Sequence, residues 1–311
     1  MPVISDFNFA STTGCNKIHA KMAVPDGEVR GVVQIAHGVA EYIDRYEPFM
    51  RFLAEHGFVA VGNDHLGHGK TISVPEEQGF FAEKDGWQYV LDDMAKLHQI
   101  TADKYPGVPY IFFGHSMGSF LTRHYVILHP DQPDLVIICG TGHQLPAMIA
   151  GGDTMARMGV AVFGPRKIGR MLNNVAFGSY TKGIEKPRTS SDWLNRDPKE
   201  VDKYINDPLC GFVPTVSLFR DMMSGVKFIT DPKNIARMNK QTPVLFIAGA
   251  EDPVGEHGEG VKRAVQAFRD AGIRDVSMKL YPGARHEILL ELNHEEVFAD
   301  VLGWIEEKLS L

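Results

Sequence analysis

Tyr110-Ile111-Phe112-Phe113-Gly114-His115-Ser116-Met117-Gly118-Ser119 reads as a buried strand that breaks into a tight turn and opens a helix. The four apolar residues suit a strand covered on both faces, and Ser119 to His129 carries a helical pattern. Between them lies G-x-S-x-G. A serine between two glycines at such a turn can hold a strained backbone position, and the glycines let strand and helix approach closely. The hydroxyl then projects from the carboxyl edge of a sheet. Alone, the pentapeptide arises readily by chance; between strand and helix it makes Ser116 a candidate nucleophile.

Working outward, short apolar runs alternate with helical stretches. Strands are expected near Phe7–Ser11, Lys17–Ala23, Val32–Ala36 and Phe58–Val61 before the serine strand, and at Leu135–Cys139 after it. A helix is expected from about Arg45 to His56, with Pro48 in its first turn and Gly57 just past its end. Val90, Leu91, Met94 and Leu97 form one face of another. From about Leu145 to Val226 the rhythm breaks into Met-rich, helix-like sequence with no convincing strand. It returns with Val244–Ala248, a helix from Val261 to Ala271, an alternating edge strand through Val276, Met278 and Leu280, and a closing helix. Continuous apolar runs separated by helices indicate a parallel sheet covered on both faces. The expected organisation is a first core part at residues 1–144, a helical cap at 145–227, and a second core part at 228–311.

Composition is ordinary for a globular protein: 44% hydrophobic and 23% charged in 311 residues. The net charge of −7, with no long basic run, argues against nucleic acid as a partner. The start carries Asp6 and no cationic lead into an apolar run, so it does not read as a signal peptide. No stretch approaches the ~20 apolar residues of a spanning helix. Cys15, Cys139 and Cys210 are too few and too scattered for a disulfide framework or a zinc site. A cytoplasmic protein is expected.

A serine hydroxyl needs a histidine to take its proton and an acid to orient that histidine. In α/β-hydrolases, which carry a serine turn of this pattern, the three follow strands in the order serine, acid, histidine. Asp252 follows Val244–Ala248 in Gly249-Ala250-Glu251-Asp252-Pro253. His286 follows the edge strand in Pro282-Gly283-Ala284-Arg285-His286-Glu287. Glu251 competes with Asp252 as a turn carboxylate, and His257 and His294 read more simply as solvated or capping residues. Oxyanion donors are expected from the N–H groups of Met117 and Val39, the latter in the loop His37-Gly38-Val39-Ala40-Glu41.

Those stretches resemble the monoacylglycerol lipase and lysophospholipase group of α/β-hydrolases, the set also grouped with serine aminopeptidases. The matching pieces are Ala36-His37-Gly38-Val39-Ala40-Glu41-Tyr42, Asn63-Asp64-His65-Leu66-Gly67-His68-Gly69, Gly114–Gly118, Gly249–Pro253 and Ala284–Glu287, in the family's order. Val201-Asp202-Lys203-Tyr204 through Asp207-Pro208-Leu209 is also similar. The resemblance spans nearly the whole chain. It implies an α/β-hydrolase fold, a mostly parallel eight-stranded sheet with helices on both faces and a helical cap insertion. It also implies a triad of Ser116, Asp252 and His286 with Val39 and Met117 as oxyanion donors. The family often has glycine where Ala40 stands.

Asp64, His65 and His68 could suggest a metal site, but a loop packed beside the active site is the simpler reading. No metal and no cofactor is expected. Glu41 is expected to hold the oxyanion loop through backbone N–H groups or by pairing with Arg45, and His115 to pack or hydrogen bond under the turn. About half of the thirteen methionines fall between Met148 and Met238. Met148, Ile149, Met155, Met158, Val160, Val162 and Phe163 could line an acyl channel, with Met148, Met155 and Met158 the candidate substrate contacts; helical core packing explains them equally well. The leading expectation is a carboxylic ester hydrolase acting on monoacylglycerols, lysophospholipids or similar small acyl esters, with at most peripheral membrane or micelle contact through the cap. A peptidase would need a cap carboxylate such as Glu185, Asp192, Asp197 or Glu200 to hold an amino group. A third reading is a non-catalytic binding protein on the same scaffold.

Overall fold

The computed structural model describes residues 1–310. Strands β1 (Val3–Ala10), β2 (Lys17–Val24), β3 (Gly31–Ala36), β4 (Phe58–Asn63), β5 (Tyr110–His115), β6 (Leu135–Cys139), β7 (Val244–Gly249) and β8 (Val276–Tyr281) form one sheet in the order β1-β2-β4-β3-β5-β6-β7-β8. Only β2 is antiparallel to its neighbours; the strands from β4 to β8 run parallel. β1 starts four residues before the expected Phe7. Its polar residues alternate on an exposed edge and dilute the apolar signal, yet the ladder with β2 begins at Val3↔Val24. The helix expected over Arg45–His56 is a 3-10 turn, Ile43–Tyr46, running into helix α1 (Glu47–Glu55), with Pro48 in its first turn.

The central strands divide their side chains by parity. Val32, Val59, Phe112, Val136 and Phe246 enter one core, which helices α2 (Gly86–Lys104), α3 (Met117–Leu128) and α9 (Glu259–Asp270) cover. Val33, Ala60, Phe113, Ile137 and Ile247 enter the other, beneath α1 and α10 (His294–Leu309). Both faces are dry, so these strands read as unbroken apolar runs.

Between β6 and β7 the chain leaves the sheet and forms α4 (Pro146–Phe163), α5 (Arg170–Phe177), α6 (Pro198–Asn206), α7 (Val216–Thr230) and the short α8 (Pro232–Ile235). The expected end of the insert at 227 falls inside α7. Nothing in the sequence stops that helix until Asp231-Pro232, where Asp231 caps α8 through the Lys233 N–H. α7 also packs down onto the core. Gly225 sits where an added Cβ would come within 2.3 Å of Trp87 on α2. The Trp87 indole donates to Nδ1 of His124 on α3 at 3.0 Å.

Candidate active site

Ser116 follows β5 directly and caps α3 with φ 54° and ψ −121°, a conformation that costs a non-glycine residue about 1–3 kcal/mol. Its neighbours must be glycine. A Cβ on Gly114 would lie 2.3 Å from the Gly118 carbonyl oxygen, and one on Gly118 would lie 2.0 Å from that of Ala36. The turn is pinned by the Ser116 N–H donating to the Cys139 carbonyl at 3.1 Å and by the Ser119 hydroxyl donating to the Ser116 carbonyl at 2.5 Å.

Asp252 and His286 lie in the loops after β7 and β8, 0% and 2% exposed, and His286 Nδ1 lies 2.9 Å from Asp252 Oδ2. Asp252 Oδ1 accepts the Val254 N–H, which fixes the carboxylate plane. Glu251, the rival acid, points to solvent at 60% exposure. His257 also faces outward, and the His294 ring bonds the Glu291 carbonyl at the start of α10. Ser116 and His286 line one cavity. Trp193, from the insert, lies against the His286 ring at 5.1 Å between centroids.

Ala40 in the loop after β3 has φ 56°, a left-handed conformation that favours glycine. The family's glycine at this position therefore answers a backbone requirement that this chain meets with alanine. Glu41 does both things considered for it. Oε1 accepts the Gly38 N–H at 2.6 Å and the Tyr46 hydroxyl at 2.9 Å, while Oε2 accepts from Arg45 at 2.9 Å. Burial pushes the Glu41 pKa up, but His115 and Arg45 more than offset this and hold it well below the usual carboxylate range. The N–H groups of Val39 and Met117 donate to no protein acceptor among the described residues.

Two flanks brace this loop. On one side, Asp64 accepts the N–H groups of Ile43 and Lys70 at 2.8 and 2.7 Å and meets His19 Nδ1 at 2.9 Å. His37 Nε2 accepts the His65 N–H at 3.0 Å. Burial lowers the pKa of His37, His65 and His68, the last to about 3. The carboxylate considered for a metal is thus committed to backbone donors. On the other side, Asp207 accepts the Tyr42 hydroxyl at 2.8 Å and the Gly211 N–H bonds the Ala40 carbonyl at 2.9 Å. The insert's Asp207-Pro208-Leu209 stretch thereby reaches the loop.

Two cavities meet at Val39, Ser116 and Phe177. One, about 270 Å³, is the more polar of the two, lined by Asn173, Asn174, Ser191 and Tyr204 together with apolar Phe177, Trp193, Leu194 and Phe212. The other, about 580 Å³, is apolar and includes Met148, Ile149 and Met155 from α4, Phe120 from α3, and Phe219, Met222 and Met223 from α7. Met158 is a correction: it lies outside this cavity, 62% exposed. At 3.6 residues per turn it is rotated about 60° from Met155, off the face that Met148 and Met155 share. Val162 and Phe163 are exposed as well. Phe120, Met222 and Met223 escaped the sequence reading because they sit in core-facing helical patterns. Trp193 escaped it because an isolated aromatic in irregular sequence carries no periodic signal.

A family model described as "Serine aminopeptidase, S33" matches residues 27–293. The "Monoacylglycerol lipase" of Mycolicibacterium smegmatis is 28% identical over 310 residues, 98% of each chain. The "Monoglyceride lipase" of Saccharomyces cerevisiae is 28% identical over 90% of this chain and 86% of that one. Among solved structures, a thermostable carboxyl esterase from Bacillus coagulans in complex with glycerol superposes with a TM-score of 0.92 at 30% identity, over 99% of both chains.

Proposed function

Because the chain belongs to the serine aminopeptidase, S33 family of α/β-hydrolases and is a monoglyceride lipase-like serine hydrolase, we propose that it cleaves neutral monoacylglycerols and similar small acyl esters through Ser116, His286 and Asp252. The observation that carries this reading is the pair of cavities joined at Ser116, one apolar and about twice the volume of the polar one. The apolar cavity takes the acyl chain and the polar one the alcohol. No lysine or arginine lines the polar cavity, whose acids Glu41 and Glu287 are both paired with Arg45. That favours an uncharged headgroup over the phosphate of a lysophospholipid.

In the proposed reaction, Ser116 Oγ attacks the ester carbonyl as His286 Nε2 takes its proton. Asp252 holds the Nδ1–H and stabilises the imidazolium. The N–H groups of Val39 and Met117 receive the oxyanion, each donor contributing about 3 kcal/mol. The C–O bond to the alcohol breaks and His286 protonates the leaving oxygen. Water then attacks the acyl-serine, giving a proton to His286, which returns it to Ser116.

For a peptidase, a carboxylate facing the site should hold the substrate ammonium group. Asp192 and Asp197 are taken up by local backbone N–H groups and Glu200 by Lys203, and neither they nor Glu185 line either cavity. This supports the ester reading. We take the inserted helices as a cap over the serine, with exposed Met148, Met158, Val162, Phe163, Met171 and Val175 on α4 and α5 as a contact surface for micelles or membranes. A fluorophosphonate probe should label wild type stoichiometrically and Ser116→Ala not at all. A monoacylglycerol should be hydrolysed faster than a lysophospholipid of the same chain or an aminoacyl anilide, with the rate rising above the micelle concentration. Retained labelling in Ser116→Ala would sink the nucleophile assignment.

A further inference from the structure

A second histidine lies buried behind the serine, and the hydrogen-bonding geometry determines its charge. His115 stands between the nucleophile's turn and two neighbouring loops, 4% exposed. Its Nε2 faces the carbonyl oxygen of His286 at 3.2 Å, which can only accept, so Nε2 carries a proton. Its Nδ1 faces Glu41 Oε1 at 3.1 Å and the Tyr46 hydroxyl oxygen at 2.9 Å. That hydroxyl is itself 2.9 Å from Glu41 Oε1. With Nδ1 bare, the single Tyr46 proton would have to serve both the ring and the carboxylate. With Nδ1 protonated, every contact has a donor and an acceptor.

We propose that His115 is a permanently charged positioning residue, an imidazolium that holds Glu41 and through it the Gly38–Val39 turn in register with the His286 loop. The Gly38 N–H rests on the same Glu41 oxygen, so the carboxylate orients the peptide adjoining Val39. Arg45 joins Glu41 to Glu287 on the far side, at 2.9 and 2.5 Å. Two carboxylates and two cations therefore balance within one largely buried cluster, none of the four side chains being more than 11% exposed. The remaining titratable groups around the ring are the phenol of Tyr46, the buried thiol of Cys139, whose pKa burial pushes up, His286, and His37, whose pKa burial lowers. Burial pulls the His115 pKa down, but the hydrogen bond to Glu41 and its charge outweigh this and the net direction is up. One assembly thus links the oxyanion loop, the nucleophile turn and the histidine loop, all three of which must be in register when charge develops on the substrate.

The role of this assembly in turnover rests on the triad reading above; its charge state does not. The test is 15N NMR of histidine-labelled protein, with His115 assigned by difference against His115→Gln. Both His115 ring nitrogens should stay protonated from about pH 5.5 to about pH 8.5, across the range in which an ordinary imidazole loses its proton. In Glu41→Gln, His115 should titrate within that range. The kcat per fluorophosphonate-titrated site should fall about tenfold or more with KM changed less than about threefold, as expected when a transition-state interaction is lost. Tyr46→Phe keeps all four charges, so its His115 should remain protonated with a smaller fall in kcat, and it serves if Glu41→Gln does not fold. A His115 that titrates in the wild type overturns the proposal, as does an unchanged kcat in Glu41→Gln. Either result with Ser116 still labelled leaves the triad standing, whereas retained labelling of Ser116→Ala sinks the triad alone.

Discussion

Single residues carry backbone requirements that chemistry at the site imposes. Ser116 and Ala40 both sit at positive φ, at 54° and 56°, one at each side of the proposed oxyanion pocket. Ser116 needs its hydroxyl, but Ala40 supplies only a backbone turn whose carbonyl accepts the Gly211 N–H. A left-handed alanine costs about 1–2 kcal/mol, against about 0.5–1 kcal/mol for the extra unfolded-state freedom of glycine. Ala40→Gly should therefore raise the urea midpoint by the equivalent of about 0.5 kcal/mol while activity is kept. A fall in the midpoint would show that the alanine methyl, 6% exposed, contributes more by packing than its backbone costs.

At the scale of elements, the insert is bound to the core through α7. Gly225 lies against the Trp87 ring, and Phe228 stacks on His124 at 3.8 Å with an interplanar angle of 5°. Helices α2, α3 and α7 thereby meet in one close contact. Gly225→Ala should destabilise by about 1–3 kcal/mol, the usual consequence of overpacking. Gly151→Ala, on exposed α4 with nothing within 4 Å of the added methyl, should instead stabilise by about 0.5–1 kcal/mol. Urea unfolding of the two variants side by side checks the contrast. Equal effects would mean that α7 does not dock on Trp87 as described. α4 faces the apolar cavity with Met148, Ile149 and Met155 and turns Met158, Val162 and Phe163 outward. The sequence offered Met148, Met155 and Met158 together as substrate contacts, because a Met-rich helix does not announce which edge of its apolar stripe meets a cavity.

Across the whole molecule, several histidines are buried neutral. Desolvation lowers His68 to about 3 and His124 to about 4, against 6.5 unfolded. Below pH 6.5 the unfolded chain binds protons that the folded chain refuses, so stability falls with falling pH until the folded values are reached. Above that window these groups contribute no dependence. Each pH unit below 6.5 costs about 1.4 kcal/mol per histidine, so the pair should make the protein about 4 kcal/mol less stable at pH 5 than at pH 7.5. Glu41 adds a separate loss at lower pH, because its folded pKa is depressed and its contribution disappears as the carboxylate is protonated. Urea unfolding at the two pH values tests this, and equal free energies would rule out the neutral burial of His68 and His124.

The sequence by itself determined the sheet, the helices between its strands and the position of the serine turn. Those features rest on local signals: apolar runs of strand length, and glycines where a Cβ would strike backbone. It also put Asp252 and His286 at the ends of their strands, because a parallel sheet delivers every such loop to one edge. Only the tertiary structure decided that Asp252 rather than its neighbour Glu251 meets the imidazole, that Met158 faces water, and that His115, Glu41, Tyr46 and Arg45 share one buried assembly with Glu287. Those outcomes depend on the angle at which a side chain leaves its backbone and on partners more than two hundred residues away, as for Arg45 and Glu287. Local periodicity encodes neither.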